Sequence, residues 1–327
     1  MNTKNFRFSR RRRLCGGAVV LLAVVFVFPV ARPAIASDAT GANTAAAPVL
    51  PRGESEFFFN NVFTAPSLTA GYSMPAAVRD ATGKLLSWNY DAGVSVLAIG
   101  AENIFYGAFA YRRTDYRFEG MGAPFGDVEQ ARLYFRYERA FSPRWSLVVD
   151  AAGWLAAETD ARIGEGAAGF LGGGVKHSLS GDLQFHLGMM VKTYLSDGAE
   201  LWPYGGFVWQ IDPSWALGLT NGLSLRYDGR FFDGHATSVE LKCAYESLNF
   251  RMAGATAVGS HRRAVEVQQV VLTLGVKQEF LGRAAYVRGT IGGVLYAKYK
   301  FRSCGDNVGE FRTDPAATFC VEAGFTF

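Results

Sequence analysis

Apolar and polar residues alternate with a period of two along most of this chain. In residues 85–99 one side carries Leu86, Trp88, Tyr90, Val94 and Val96, and the other carries Ser87, Asn89, Asp91 and Ser95. Residues 129–141, 144–156, 181–195 and 283–301 repeat the pattern. A period of two predicts β-strands with one apolar and one polar face. The runs are about 13 to 17 residues long, which exceeds the usual length of strands in globular sheets and matches tilted membrane-spanning strands with extensions.

The last ten residues, Thr318 to Phe327, alternate in the same way and end on an aromatic residue. Phe319, Val321, Ala323, Phe325 and Phe327 fall on one side, and Thr318, Cys320, Glu322 and Thr326 fall on the other. This segment resembles the closing strand of bacterial outer-membrane β-barrel proteins. The resemblance implies that Phe319, Val321, Phe325 and Phe327 form the signal read by the barrel-assembly machinery. It also implies periplasmic chaperones during biogenesis, and outer-membrane lipids and lipopolysaccharide as surroundings.

Residues 1–36 have the features of a cleaved secretory signal peptide. Basic residues from Lys4 to Arg13 precede an apolar stretch, Gly16 to Val30, and the sequence Ala34-Ile35-Ala36. The apolar stretch is shorter than the roughly 20 residues that a membrane-spanning helix needs. We therefore expect export to the outer membrane, a flexible periplasmic leader at 37–53 and a barrel at 54–327.

The net charge changes sign once the leader is set aside. The chain has 33 Lys and Arg residues and 29 Asp and Glu residues, and seven of the basic residues but none of the acidic ones lie within 1–36. The remainder, 26 minus 29, gives −3 for residues 37–327. A nucleic-acid-binding domain is expected to be basic, so we expect no nucleic-acid partner.

Short and long connections take turns between the predicted strands. The short ones are 100–102, 142–143, 179–180, 212–213, 247–248 and 281–282, and the long ones are 119–128, 157–165, 196–203, 228–235, 257–265 and 302–317. Short periplasmic turns and longer outer loops are typical of outer-membrane barrels. With a first outward strand within 56–74, the pattern predicts an all-β, transmembrane antiparallel up-and-down β-barrel of about fourteen strands. The count falls to twelve if weak strands such as 166–178 or 204–211 are misread.

The alternation directs many charged side chains into the lumen, where functional residues are expected. The predicted lumen-lining and selectivity residues are Arg132, Arg136, Glu138, Asp150, Lys192, Glu240, Lys242, Arg251, Arg288, Lys298 and Lys300. Barrels of about eight strands are filled by side chains and those of 16 to 18 strands leave a channel, so fourteen strands favour a channel. The size also resembles that of the monomeric fourteen-stranded porins. We predict a passive channel for small polar solutes with a mixed-charge lumen, for which a monomer suffices. A closed barrel that serves structure or surface binding is the alternative.

Two motifs point to other chemistry, and neither has the context that this chemistry needs. The run from Gly164 to Gly169 has dinucleotide-binding glycine spacing, but no apolar strand leads into it and no helical pattern follows. Asp233-Gly234-His235, in a predicted outer loop, resembles the Asp-x-His half of the omptin protease site, which implies His235 as general base. The second acidic pair of that family is missing. A loop-borne hydrolase is thus the less favoured alternative, and we expect no enzyme activity, no cofactor and no metal site.

Cys304 and Cys320 are a candidate disulfide. Cys304 lies in the predicted last outer loop and Cys320 near the predicted outer end of the closing strand. Exported compartments permit disulfides, and closing a loop of about 15 residues contributes roughly 3 kcal/mol in the chain-entropy model. The alternative is two unpaired thiols. Cys243 alternates with Leu241 and Tyr245 and is expected to face lipid.

Overall fold

A computed structural model describes residues 61–79, 81–161, 166–195, 198–220, 222–231, 235–253, 263–280, 284–303 and 306–325. The predicted signal peptide and leader, Asp233, Cys304 and Phe327 lie outside this part of the chain. No helix in the described ranges is long and apolar enough to cross a membrane.

The described chain is built from fifteen β-segments. They are β1 (Asn61–Ala77), β2 (Lys84–Ile99), β3 (Asn103–Glu119), β4 (Val128–Ala140), β5 (Trp145–Glu158), β6 (Ala167–Ser178), β7 (Leu183–Tyr194), β8 (Gly198–Gln210), β9 (Trp215–Leu219), β10 (Leu223–Phe231), β11 (His235–Arg251), β12 (Arg263–Phe280), β13 (Ala285–Ser303), β14 (Asp306–Thr313) and β15 (Ala316–Phe325).

These segments close into an antiparallel barrel of fourteen strands. From β1 to β13 each segment pairs with the next one in the chain. β14 and β15 lie end to end along β13, so they are two halves of one strand, interrupted at Asp314-Pro315. β15 then pairs with β1, from Ser67↔Gly324 to Ser73↔Thr318, which completes the ring. The predicted all-β up-and-down barrel and its strand count are confirmed.

The connections gather at two ends of the barrel. We call the end where β1 begins and β15 finishes the lower end, and the opposite end the upper end. The strand ends that flank 100–102, 141–144, 179–182, 211–214, 232–234 and 281–284 lie at the lower end, and those that flank 78–83, 120–127, 159–166, 195–197, 220–222, 252–262 and 304–305 lie at the upper end. The end at which each connection lies follows from the antiparallel order.

One predicted turn is wrong and one turn was not predicted, and these two errors cancel in the strand count. The turn predicted at 247–248 lies inside β11, which runs without a break to Arg251. The break missed by the sequence pattern is at 220–222, where Gly222 has a φ of 109°, a conformation suited to a tight turn. In consequence the end of β10 at Phe231 and the start of β11 at His235 lie at the lower end, although the sequence pattern predicted an outer loop there. The long connection predicted at 302–317 is also wrong, because it is occupied by the end of β13 and by β14.

An apolar band surrounds the barrel. On β13 the outward residues Val287, Ile291 and Leu295 are 44–55% exposed, and the band continues to Tyr296. Nine residue steps at about 3.3 Å, tilted by about 40°, give a height of about 23 Å, which matches the apolar belt of membrane barrels. At the lower end the exposed rings of Trp145, Trp209 and Trp215 border this band. The surface is that of a membrane-spanning barrel, with aromatic residues at its lower interface.

Above the band, the side chains of β13 that would continue on the outward face point into the barrel instead. The register of β12 and β13 shifts between Val270 and Val271, opposite the segment Val294 to Tyr296. A bulge of one residue reverses the facing of every later side chain. Tyr299 therefore points into the barrel and is 6% exposed, and Lys298 and Lys300 lie on the outer face. The prediction that these two lysines line the lumen is wrong for this reason.

Candidate functional site

The middle of the lumen is lined by polar groups around Asp150 of β5. The Asp150 carboxylate accepts a hydrogen bond from Tyr134 Oη at 2.5 Å and one from Tyr204 Oη at 3.5 Å. Arg136 Nη1 lies 3.8 Å from the same carboxylate. Asp150 is 6% exposed, and burial of a carboxylate requires such partners. Because β5 and β8 are not neighbours, the Tyr204 contact runs along the inner face of the wall.

A second group of partnered charges lines the wall from β11 to β15. Arg288 Nη2 donates to Glu240 Oε2 at 2.6 Å, across the intervening β12. Tyr286 Oη donates to a Glu322 carboxylate oxygen on the neighbouring β15. Lys277 Nζ pairs with Glu279 at 2.9 Å and lies 4.6 Å from the centroid of the Tyr286 ring. These contacts connect neighbouring and next-nearest strands along the inner face of the wall.

Two further ion pairs belong to the lower and middle parts of the lumen. Arg112 Nε donates to Asp91 Oδ1 at 2.6 Å between β3 and β2. Lys176 of β6 forms an ion pair with Glu138 of β4, which is two strands away. Both pairs cross the inward face, as the alternation predicts.

Most of the residues predicted to line the lumen lie on the inward face. These are Arg132, Arg136, Glu138, Asp150, Lys192, Glu240, Lys242 and Arg288, placed there by the register of β4, β5, β7, β11 and β13. Arg251 does not line the open lumen: it is 4% exposed at the upper end of β11, where it pairs with Ala157 of β5. Lys298 and Lys300 are on the outer face, where Lys298 pairs with Glu310 at 2.8 Å.

Arg132 and Lys242 differ from the other cations of the mid-barrel lumen. Within the described residues neither one forms an ion pair or a hydrogen bond, whereas Arg112, Arg136, Lys176 and Arg288 each have a carboxylate partner. The carboxylates of Asp91 and Glu246 lie close enough to act electrostatically on Arg132. Within the described residues Glu246 accepts a hydrogen bond from Gln269 and forms no ion pair. The lining of the middle lumen thus contains both cations and a carboxylate without an ion-pair partner.

The upper end is partly filled by an apolar group that the sequence pattern did not reveal. Phe125, in the 120–127 connection, is 3% exposed. Its ring centroid lies 5.1 Å from that of Tyr116, 5.3 Å from that of Phe250 and 5.9 Å from that of Tyr299. Phe118 and Phe311 also contact it. We call Phe125 and these five aromatic residues the upper cluster; it joins β3 to β11, β13 and β14 across the barrel.

Backbone contacts reinforce this closure. β11 pairs with β5 at Arg251↔Ala157, although five strands lie between them. The two Glu158 carboxylate oxygens accept hydrogen bonds from the backbone N–H groups of Gly126 and Ala253. The end of β11 and the 120–127 connection are therefore fastened to the same carboxylate. The upper lumen is occupied on the side of β2–β5 and β11–β14.

The signal for this cluster was present but ambiguous. Phe125 is the single large apolar residue between Gly122 and Gly126, in a segment that otherwise reads as a polar surface loop. A buried aromatic residue in a loop has no periodicity to reveal it. Tyr134 and Tyr204 are not among the predicted lumen residues, because the prediction rests on charged side chains alone.

The remaining candidates are resolved as follows. His235 begins β11 at the lower end and is not in an upper loop, and Asp233 lies outside the described residues. Cys320 has a free thiol and pairs with Thr290, thirteen positions along β13 from Ser303, the described neighbour of Cys304. That register does not support the predicted bond. Cys243 is on the outward face, as expected for a residue that faces lipid.

The closing strand presents the expected residues to the outside. Phe319, Val321 and Phe325 are 47%, 58% and 51% exposed. Phe327 lies outside the described residues. The described part of the predicted assembly signal thus lies on the apolar surface of the barrel.

Comparisons with other proteins return barrels at low similarity. No protein-family model matches the chain, and no curated protein sequence matches it. Among solved structures, the NanC porin is 8% identical with a TM-score of 0.35, covering 80% of this chain and 100% of that chain. The P. putida toluene transporter TodX is 9% identical with a TM-score of 0.34, covering 81% and 90%. The β domain of the Bordetella autotransporter BrkA is 13% identical with a TM-score of 0.30, covering 81% and 99%.

Likenesses of this size carry no argument about function. The fold assignment rests on the pairing of the strands and on the apolar band. By these criteria the chain is a fourteen-stranded antiparallel β-barrel of the membrane-spanning type.

Proposed function

We propose that this protein is a passive channel of the bacterial outer membrane that conducts small polar solutes with a modest preference for anions. The lower end of the barrel would face the periplasm and the upper end the cell exterior. The location is supported by the apolar band, by the closing strand and by the features of residues 1–36, since only closed barrels and helices satisfy their backbone groups in a membrane.

One observation carries the channel proposal. The long inward side chains in the middle of the barrel are held flat against the wall by neighbours, as Arg288 is by Glu240 and Tyr204 is by Asp150. A wall of fourteen strands encloses a wider lumen than the eight strands that side chains alone can fill. The unpaired Arg132 and Lys242 supply the preference for anions.

The upper cluster supports a second candidate, a closed barrel without conductance. Phe125 joins opposite walls at the upper end, and a barrel blocked there would serve structure or surface binding. The two candidates differ in a single observable, which is the flow of ions through the folded protein.

The test is single-channel conductance of the purified mature protein in a planar bilayer, with the reversal potential measured under a salt gradient. Stable open steps and a reversal potential on the anion-selective side are expected. Folding is checked by the shift in electrophoretic mobility on heating that intact barrels show. A heat-modifiable protein that conducts no ions would overturn the channel proposal in favour of the closed barrel.

A further inference from the structure

The wall of the barrel is incomplete above the β9–β10 hairpin. β9 has five residues, about half of the 9 to 11 that a membrane-spanning strand needs. It pairs with Phe207–Gln210 of β8 and leaves the rest of β8 without a partner on that side. β10 stops at Leu223↔Cys243. Within the described residues, Gly198–Gly206 of β8 and Ala244–Phe250 of β11 therefore face each other without a strand between them.

This side opening lies at the depth of the apolar band. Leu201 of β8 is 64% exposed, Leu219 and Leu223 at the tip of the hairpin are 40% and 50% exposed, and Tyr245 of β11 is 61% exposed. All four are on the outward face and border the opening on three sides. Residues of this kind are stable on the outside of a barrel only against lipid.

The unpaired strand edges require water or a polar partner. In an antiparallel ladder every second residue points its N–H and C=O groups to one side, so about four residues of Gly198–Gly206 present theirs to the opening. Each such group left unsatisfied in hydrocarbon costs several kcal/mol. Water that enters from the lumen is the best available hydrogen-bond partner for these backbone N–H and C=O groups.

The inner side of the opening connects directly with the lumen. Two strands separate β8 from β11 at the base, which sets the backbones of β8 and β11 about 14 Å apart there. From β7, the inward Lys192 Nζ reaches Ser247 Oγ of β11 at 3.2 Å. Ser247 shares the outward face of β11 with Tyr245, so this contact passes from the lumen side to the outer side at the opening. Trp202 of β8 points to the lumen side and is 50% exposed. Lumen water and the apolar layer therefore meet at this place.

We propose that the side opening is a lateral port through which small, uncharged and largely apolar molecules pass between the lumen and the interior of the membrane. The inference rests on the membrane placement in the proposed function, and it does not depend on the conduction of polar solutes. An apolar molecule in the lumen would pass through the port from water directly into the interior of the membrane. It would not have to enter the membrane through its outer surface.

The first test closes the port. Lengthening β9 and β10 by four residues each, inserted with alternating Thr and Val after Leu219 and before Leu223, supplies partners for the free edges. The probe is N-phenyl-1-naphthylamine, which fluoresces when it reaches a membrane interior, added to cells that produce the barrel. Uptake is expected to fall to the level of cells without the barrel. The same residues inserted in the lower 100–102 turn form the control, which should leave uptake unchanged.

Ion conductance separates this inference from the proposed function. A closed-port variant that still conducts ions but takes up no dye supports both proposals. Dye uptake by a wild-type barrel that conducts no ions supports the port and overturns the polar channel. Equal dye uptake by the wild type and a heat-modifiable closed-port variant overturns the port.

A second measurement decides the matter if the lengthened hairpin does not fold. The photoreactive residue p-benzoylphenylalanine replaces Trp202 beside the opening or Trp154, an inward residue that packs on the upper cluster. In proteoliposomes, light is expected to attach lipid acyl chains at position 202 and not at 154. Absence of acyl-chain attachment at position 202 overturns the port.

Discussion

At the residue scale, the middle of the lumen is lined largely by paired charges. The pairs form because buried charges require an opposite charge or a hydrogen-bond partner, and the neighbouring strands supply it at short distance. Among the cations of this middle part, Arg132 and Lys242 form no ion pair or hydrogen bond within the described residues. Their side chains face the lumen, where they can act on a passing ion.

Replacing Arg132→Gln should move the reversal potential toward that of a non-selective pore, because a positive charge of the lumen lining that forms no ion pair is removed. Lys242→Gln should act in the same direction. The matched control is Arg113→Gln, since Arg113 is on the outward face and pairs with Asp115 at 2.7 Å and Asp127 at 3.1 Å. If Arg113→Gln shifts the reversal potential as far as Arg132→Gln does, the selectivity does not reside in the lumen.

Gly188 has no side chain, and this leaves room for the ring of Tyr204. A Cβ atom at Gly188 would lie 2.5 Å from the carbonyl oxygen of Gly173 and 2.7 Å from the ring of Tyr204. The glycine therefore leaves the space that the Tyr204 ring occupies on its way to Asp150. Contact of an aromatic ring with a strand glycine is a known means of covering exposed backbone.

Gly188→Ala should lower the free energy of unfolding by about 1–3 kcal/mol, because the added methyl group overpacks this site. The measurement is the urea midpoint in detergent micelles. Gly289→Ala is the control, since a Cβ there meets no atom within 4 Å. Equal midpoints for the two variants would contradict the packing described for Tyr204.

At the element scale, small local features decide which face of a strand looks inward. One bulge in β12 and β13 turns Tyr299 into the barrel and Lys298 out of it. One turn at 220–222 shortens β9 and opens the wall. The alternation of residues along a single strand cannot predict the bulge or the turn, because both depend on pairing with the neighbouring strand.

The 120–127 connection is expected to act as the obstruction at the upper end. Phe125→Ala should raise the single-channel conductance, because the ring that joins β3 to β11 and β13 is removed. The variant should also lose stability, by about 3–5 kcal/mol for a fully packed Phe. Phe185→Ala on the lipid-facing side, where Phe185 is 43% exposed, is the control and should leave conductance unchanged. An unaltered conductance in a folded Phe125→Ala barrel would show that ions take another path.

At the scale of the whole molecule, stability depends on closing the ring between β1 and β15. This pairing joins residues about 250 positions apart, so its formation has a high entropy cost. Both strands present apolar residues to the lipid and small or polar residues to the lumen. The barrel is therefore sensitive to charge on one face of the closing strand and tolerant of it on the other.

Val321→Arg should destabilise the barrel by about 2–4 kcal/mol if the residue sits near the midplane of the membrane. Thr318→Arg on the same strand points into the wet lumen and should cost much less. The amount of heat-modifiable barrel and its urea midpoint in lipid vesicles measure both effects. Equal losses for Val321→Arg and Thr318→Arg would contradict the inward and outward assignment of β15.

The sequence by itself determined the class of fold and the facing of most side chains, and it gave fourteen strands only because the turn missed at 220–222 offset the one wrongly predicted at 247–248. Strand alternation is a local property, so Asp150, Arg132 and Phe319 could be assigned to a face without knowledge of their neighbours. The tertiary structure alone decided the upper cluster, the reversal at Lys298 and the opening above β9. Each of these depends on where one strand meets another, and a one-residue shift in register or a single apolar residue in a loop leaves no periodic trace in the chain.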